Sequence, residues 1–489
     1  MIEFMNKNSI LDRFIAFEQN YKLFNRFYYD FNYWCYIRFE IYNEIYRNIN
    51  KTSPISLNIK KKPILKVIEK LNKIRYISES FIKYPRKKKD IIIMQHPRKL
   101  LIDGYYQDIY TNYLAEKYCD NSIIIDCRLT SSYYHKQKYK YYKDDITTIW
   151  RYYYKIITPN DKKEDLFLKS LQINIEKEFK INLPQNYLSQ LIYERFLIYK
   201  SYHKYYTQLL KRTSPKCIIE VVYYGANNMV LNEIAKEMHI PTIELQHGTM
   251  GYNHIAYNLP PQIYLKQLPS HMFLFSDYWQ KTSRIPQQTH IKITGYPYFE
   301  EQYNKTFNTY QKSDVSNRKK NILFISQTTI GLDLSKFASQ LVELIDLNQY
   351  NIQYKFHPAE YDQWKERMPW LYEKRHLIEI IENKNKTLYQ LFASSDIQIG
   401  VYSTGIYEGL GFNLRTYIVA LPGWEGMAPL IENNYAQLIQ KPEELIEAIE
   451  SMNISQNESS NPTFWKMNSK NNIFSEIETI LNSYSPKDQ

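Results

Sequence analysis

In the stretch Tyr402-Ser-Thr-Gly-Ile-Tyr-Glu-Gly-Leu-Gly-Phe-Asn413, a small hydroxyl-rich turn stands between two apolar runs. Ile397 to Val401 leads into Ser403-Thr404-Gly405. A segment of helical character then carries Glu408, and a second apolar run, Thr416 to Leu421, stops at Pro422-Gly423. The order is strand, turn, helix, strand. Such a turn places free backbone N–H groups and two hydroxyls at a helix N-terminus, where an anion is well held. Glu408 follows Thr404 by one helical turn on the same face, where a carboxylate can accept hydrogen bonds from a ribose. Open parallel α/β sheets bind ligands at the C-terminal ends of their strands, so the segment predicts a nucleotide site.

The same grammar repeats upstream. Ile91-Ile-Ile-Met94, Ser122 to Asp126, Cys217 to Tyr223, Thr242 to Leu245, His271 to Phe275 and Ile291 to Thr294 read as strands. A helix, Asn228 to Met238, falls among them, and strand–helix alternation implies a parallel sheet. Gln246-His247-Gly248-Thr249 follows the fourth strand directly. A polar segment from Glu300 to Lys320 marks a domain boundary. A second series then begins: strand Asn321 to Ser326, helix Leu334 to Leu347, strand Asn351 to Phe356 ending at His357-Pro358, helix Thr387 to Ser394 and strand Ile397 to Val401. Two nucleotide-fold-like series joined by a linker predict an α/β protein of the two-lobed GT-B type, its site in the cleft between the lobes. The expected division is a helical N-terminal extension over 1–88, an acceptor-side lobe over 89–305, a donor-side lobe over 320–470, and a C-terminal helix over 471–489 that crosses back to the first lobe.

At 489 residues the chain exceeds one domain of about 150 residues, and its 44% apolar content is enough for real cores. Only 12 glycines occur, against roughly 7% in an average protein, and most fall at or near these turns. Four cysteines, Cys35, Cys119, Cys127 and Cys217, are scattered without metal spacing, which fits a reducing cytosol. Met1 to Ile10 lacks the order of a signal peptide, and no apolar run approaches the roughly 20 residues that span a bilayer. The formal charge of +12 points to an anionic partner: nucleotide phosphates, the inner membrane surface or nucleic acid. Residues 1 to 85 are amphipathic and aromatic-rich, packing on the body or resting on a membrane, and Arg86-Lys-Lys-Lys89 is a weak candidate phospholipid contact.

The motifs resemble those of bacterial GT-B transferases that use CMP-activated sugars: sialyltransferases, polysialyltransferases and capsule Kdo transferases. They carry His-Pro after a strand, then Ser-Thr with a downstream Glu. Gln246-His-Gly-Thr249 is similar to the His-Gly-Thr turn of CDP-glycerol glycerophosphotransferases. The resemblance covers roughly residues 215 to 430, and residues 1 to 90 match no family. It implies that His357, with Pro358 fixing its turn, contacts the donor phosphate, and that Ser403, Thr404 and Gly405 bind phosphate too. Sialyltransferases also hold their general base in an acidic-acidic-Gly motif, of which Ile102-Asp103-Gly104 is half.

Glycosyl transfer needs a base for the acceptor hydroxyl and stabilisation of the departing phosphate. His357 suits the second task. His247 or Asp103 is the candidate base. Glu408, Gln327 and Thr328 join His357, Pro358, Ser403, Thr404 and Gly405 as nucleotide-binding candidates. Gln246, Gly248, Thr249, Tyr224 and Asn227 are candidates for the acceptor. His96-Pro97-Arg98 also follows a strand but lies far along the chain from the other motifs. No metal-binding cluster is recognisable: Asp144-Asp145 is adjacent rather than Asp-x-Asp, and no cofactor beyond the donor itself is expected.

The resulting expectation is an inverting, metal-independent glycosyltransferase of capsule or lipopolysaccharide biosynthesis. It would be cytoplasmic and peripheral on the inner face of the plasma membrane. Its partners would be a nucleotide sugar, CMP-linked, and a glycan or glycolipid acceptor, with no nucleic acid. The alternatives are a UDP-sugar transferase, a CDP-polyol phosphotransferase, a nucleotide-sugar epimerase, which needs several carboxylates near the first-lobe turns, and a nucleic-acid binder. The last needs a basic stripe with interleaved aromatics, to which Tyr139-Lys140-Tyr141-Tyr142-Lys143 comes nearest.

Overall fold

A computed structural model describes residues 9–50, 63–126, 136–158, 166–252, 254–309, 318–361, 364–382, 386–451 and 463–484. Cys127 lies outside them. The first lobe holds β1 Ile91–Gln95, β2 Leu100–Ile102, β3 Tyr105–Gln107, β4 Ser122–Asp126, β5 Tyr142–Lys143, β6 Cys217–Val221, β7 Thr242–Leu245, β8 His271–Leu274 and β9 His290–Ile293. Seven of these form one parallel sheet in the order β5-β4-β1-β6-β7-β8-β9. The central strands β1 and β6 are buried at every position. Helices cover both faces, so isoleucine, whose branched side chain suits a pleated surface, recurs without a polar alternation.

The second lobe holds β10 Lys320–Ile325, β11 Tyr350–Lys355, β12 Ile378–Ile381, β13 Ile397–Gly400, β14 Arg415–Val419 and β15 Gln437–Ile439, all parallel, in the order β12-β11-β10-β13-β14-β15. Each sheet starts at an inner strand, grows outward one way, then returns and grows the other way. That is the doubly wound order, and each lobe has one switch point, between β1 and β6 and between β10 and β13. The molecule is therefore two Rossmann-like lobes of the GT-B type with an N-terminal helical extension.

Three sequence expectations change. Ile102-Asp103-Gly104 is not an acidic motif at a strand end. β2 and β3 pair antiparallel with Ile102 opposite Tyr105, so Asp103 and Gly104 are the two loop residues. Their φ values of 51° and 78° are the left-handed pair that a primed hairpin turn requires, which Asp-Gly favours. Asp103 is exposed there, and turn geometry explains its presence. The polar boundary segment does not begin at Glu300: helix Pro297–Thr309 runs through it, with Phe299 stacked on Trp465 at 4.3 Å and Tyr303 edge-on to Phe412 at 5.0 Å. Lys143 of the basic-aromatic stretch is buried, paired with Glu79 and lying over the Tyr76 ring at 4.4 Å, so that stretch is not a surface stripe.

The chain returns to the first lobe through Phe464 and Trp465, both buried. Helix Ser469–Ser483 then lays Ile473, Ile477 and Ile480 into the cluster that contains Ile91, Leu114 and Cys217. Gly295 makes room for this passage. Its φ is +94°, and a Cβ there would stand 2.0 Å from the Lys466 carbonyl oxygen. Gly295→Ala is expected to cost about 1–3 kcal/mol from the backbone conformation alone, with the backbone clash added, read as a lower urea midpoint. An unchanged midpoint would show that the passage yields.

Helices Ile10–Asn20 and Tyr33–Asn50 share the largest apolar cluster, which runs from the first lobe into the second. Arg38 is buried against Glu18, with Nε to Oε1 at 2.8 Å and Nη2 to Oε2 at 2.9 Å, and Trp34 donates to the same carboxylate at 2.6 Å. The remaining guanidinium donors reach the carbonyls of Ile255 at 2.7 Å and Asn258 at 3.2 Å. The extension thus holds the loop that follows the Gln-His-Gly-Thr turn. Among the described residues no helix is long and apolar enough to cross a membrane.

Candidate functional site

Both switch points open toward the cleft. Ser326 to Thr329 follow β10, His357 follows β11 and Ser403 follows β13; from the first lobe, His96 follows β1, Tyr224 comes after β6 and Gln246-His247 follow β7. The lobes meet where the two glycine turns face each other: a Cβ built on Gly248 would lie 3.5 Å from Thr404 Oγ1.

His96 is not remote. Its ring stacks on that of His247 at 6.0 Å between centroids, because β1 and β7 are separated in the sheet by β6 alone. The two His-Pro turns are built alike. His96 Nδ1 accepts from Arg98 N at 3.2 Å, and its own N–H donates to Asp108 at 2.8 Å. His357 Nδ1 accepts from Ala359 N at 3.2 Å, and its N–H donates to Glu360 at 2.8 Å. With Nδ1 accepting, the proton of each neutral ring sits on Nε2, a donor available to an anion. Burial, then the Arg98 charge arriving from the other lobe, lowers the His357 pKa. Glu360 also accepts from Ser326 Oγ at 3.2 Å, tying the β10 turn to the His357 turn.

His247 is half-buried. Its carbonyl accepts from Tyr110 OH at 2.8 Å, its Nε2 lies 3.4 Å from Tyr224 OH, and its Nδ1 is buried without a partner. Burial, then His96 and His254, pulls its pKa down to about 3. With those neighbours alone it is neutral and a weak base. A phosphate beside it would supply the opposite charge that raises it. His254, which the sequence reading passed over, approaches the same Tyr224 hydroxyl at 3.5 Å and is pulled down to about 4 by burial.

Ser403 caps helix Thr404–Leu410: its Oγ accepts from Gly405 N at 3.0 Å. Thr404 is half-buried and faces Gly248. Glu408, one turn deeper, is ringed by Tyr389, Tyr110, Tyr296 and Tyr298. Burial pushes its pKa up to about 7, offset in part by a hydrogen bond from Tyr389. Its folded pKa lies above the ordinary 4.5, so the native state holds a proton that the unfolded chain gives up, and stability falls as pH rises between about 4.5 and 7. Buried Glu244, also near 7, adds to the same slope. Glu408→Gln is expected to reduce the loss of stability between pH 5 and 8 measured by urea unfolding, and an unchanged difference would refute the protonated-carboxyl assignment.

Gln246 is a correction. It is buried, its amide nitrogen donates to Gly248 O at 2.8 Å and its oxygen accepts from Phe275 N at 2.8 Å, so it shapes the turn and is not presented to an acceptor. Thr249, Tyr224, Asn227, Gln327 and Thr328 are half-buried around the cleft, and Pro358 is exposed at its edge. Near the first-lobe turns the carboxylates are committed inward. Asp108 accepts from His96 N, Tyr110 N and Thr111 Oγ1. Glu244 accepts from Tyr223 N at 3.0 Å and Tyr257 OH at 2.7 Å.

No protein-family model matches the chain, and no curated protein matches it. Among solved structures it is similar to S. aureus MnaA with UDP (13% identity, TM-score 0.47, 82% of this chain and 100% of that one). It is similar also to UDP-GlcNAc 2-epimerase from Neisseria meningitidis bound to UDP-GlcNAc (11%, 0.44, 80% and 99%). A third is the wall teichoic acid polymerase TagF (12%, 0.45, 86% and 99%). At such distances these likenesses bear on neither substrate nor mechanism.

Proposed function

We propose that this protein is a glycosyltransferase of cell-surface polysaccharide synthesis, capsule or lipopolysaccharide, inverting and metal-independent, with a CMP-linked sugar as donor. The observation that carries the reading is the meeting of Gly248 with Thr404, which joins the strand-end turns of both lobes in one cleft beside His96, His247 and His357. In this reading the His357 Nε2–H and the Thr404 hydroxyl stabilise the departing phosphate, and Glu408 receives the ribose hydroxyls. His247 takes the acceptor proton once the donor's charge has raised its pKa. The inward-turned Asp108 and Glu244 weigh against the epimerase alternative, which needs carboxylates free in the cleft.

The test is a thermal-shift series with CMP, CDP, UDP, GDP and UMP on the full chain. Selective stabilisation by CMP is expected. A UDP or CDP preference would keep a nucleotide-sugar enzyme and replace the donor, and no shift with any of the five would remove the basis of the reading.

The proposal includes work at an anionic membrane surface. On helix Thr147–Ile157 the residues Ile149, Tyr152, Tyr153, Ile156 and Ile157 recur at helical spacing, and all are exposed. Arg151 and Lys155 are exposed beside them. Lys73 lies over the Tyr152 ring at 5.6 Å, bringing up helix Pro63–Ile82 with its exposed Leu71, Ile74, Phe81 and Ile82. An outward apolar stripe edged with cations fits acyl chains beneath acidic headgroups. Co-sedimentation with vesicles rich in phosphatidylglycerol, and little with phosphatidylcholine alone, is expected, and Ile156→Glu should abolish it. Indifference to lipid charge, or self-association lost in Ile156→Glu, would overturn it.

A further inference from the structure

Helix Tyr33–Asn50 does two things along its length. Its first half is fixed in the first lobe: Arg38 is bonded to Glu18, Ile255 and Asn258, Tyr36 OH donates to Glu233 at 3.1 Å, and Phe39 packs on Tyr224 at 4.9 Å. Its second half stays anchored by buried Ile41 and Ile45 and turns its other face to the cleft. Tyr42, Asn43, Tyr46 and Arg47 line a cavity of about 620 Å³ whose other walls include Thr249 from the first lobe and Thr329, Tyr402 and Ser403 from the second. Burial, together with Glu425 and Tyr402 of the second lobe, pushes the Tyr46 phenol up to about 12. The helix therefore forms a third wall that reaches both lobes.

The volume falls within the ~300–1,000 Å³ of small-molecule sites, and its chemistry is specific. The half-buried rings of Tyr46 and Tyr402 give flat apolar surfaces from two directions, flanked by Met250 and Met427, while Tyr42 is itself buried edge-on against Phe14. The same cavity is lined by an amide, Asn43, by the hydroxyl of Thr249, and by Thr329, whose hydroxyl bonds that of Tyr402, with Arg47 alongside, 3.2 Å from Glu44. Arg47, the one Lys or Arg among the described lining residues, is paired with Glu44. Aromatic faces with interspersed amide and hydroxyl groups match a pyranose, which has an apolar C–H face and a rim of hydroxyls. The cavity adjoins Ser403, next to the Thr404–Gly248 contact, so a sugar held here would project toward the proposed phosphate site.

We propose that the cavity beneath helix Tyr33–Asn50 is a carbohydrate subsite that holds the acceptor glycan, with Tyr46 and Asn43 as its specificity residues. It rests on the transferase reading for the word acceptor; sugar binding itself does not. Full-length protein is applied to a printed array of bacterial surface oligosaccharides, and the same preparations are followed for nucleotide-induced thermal shift. Wild type is expected to retain a subset of the oligosaccharides. Tyr46→Ala and Asn43→Ala should each lose at least tenfold of that signal with the nucleotide shift unchanged. Asn43 is half-buried, so its variant keeps the experiment readable should Tyr46→Ala fold poorly. Array signal unchanged in Asn43→Ala and in a folded Tyr46→Ala, or no oligosaccharide retained by wild type, would overturn the subsite. A wild type without any nucleotide shift would sink the transferase reading, and the array alone would then decide the subsite.

Discussion

His357→Ala is expected to lose the stabilisation by donor nucleotide altogether and, once turnover is measured, about 10²–10³ in kcat, the usual penalty for removing one aimed hydrogen-bond donor from a developing anion. The argument is tautomeric. Because Ala359 N donates to Nδ1, the neutral ring must present its proton at Nε2, and the half-buried, Arg98-flanked setting disfavours a second proton without a ligand. His357→Asn separates the two roles of the ring, since an Asn oxygen can still accept from Ala359 N while the reach of Nε2 is lost. The Asn variant should keep the wild-type melting temperature and still lack the nucleotide shift. A full nucleotide shift in either variant would remove His357 from the phosphate site.

Arg38→Ala is expected to be the most destabilising single change, at about 3–5 kcal/mol, measured by urea unfolding. It leaves Glu18 buried with Trp34 as its sole remaining donor among the described contacts, and it strips two carbonyls of their partner. Replacing both members of the pair by methionine should recover much of the loss, because no uncompensated charge then remains inside. Nucleotide binding should recover less than stability, since the loop from Ile255 to Asn258 would still lack its anchor. Equal recovery of both would show that Arg38 matters only as a buried charge.

The strand-end turns were legible because long apolar runs stop abruptly at hydroxyls, histidines and scarce glycines, a pattern that local chemistry alone produces. Strand order is not written locally. His96 and His247 look remote because the sequence does not say that β1 and β7 flank the same strand. Asp103-Gly104 carried a readable hairpin signal that a partial motif match obscured. Gln246 looks like a site residue by position, and only the surrounding backbone reveals that its amide is already committed. The aromatic pattern of residues 33–50 announces a buried face and is silent about what that face covers, so its part in the cleft and the nearness of His254 appear only in three dimensions.

The return of the chain through Trp465, past Gly295, has a consequence for synthesis. The second lobe is a contiguous excursion, and its sheet can close as soon as β15 has left the ribosome. The first lobe begins earlier and finishes later: Ile91 and Cys217 wait for Ile473, Ile477 and Ile480. A domain made first but completed last exposes an apolar face for most of translation. A stop a few turns before residue 480 would spare the second lobe and leave the first as the part that chaperones must hold.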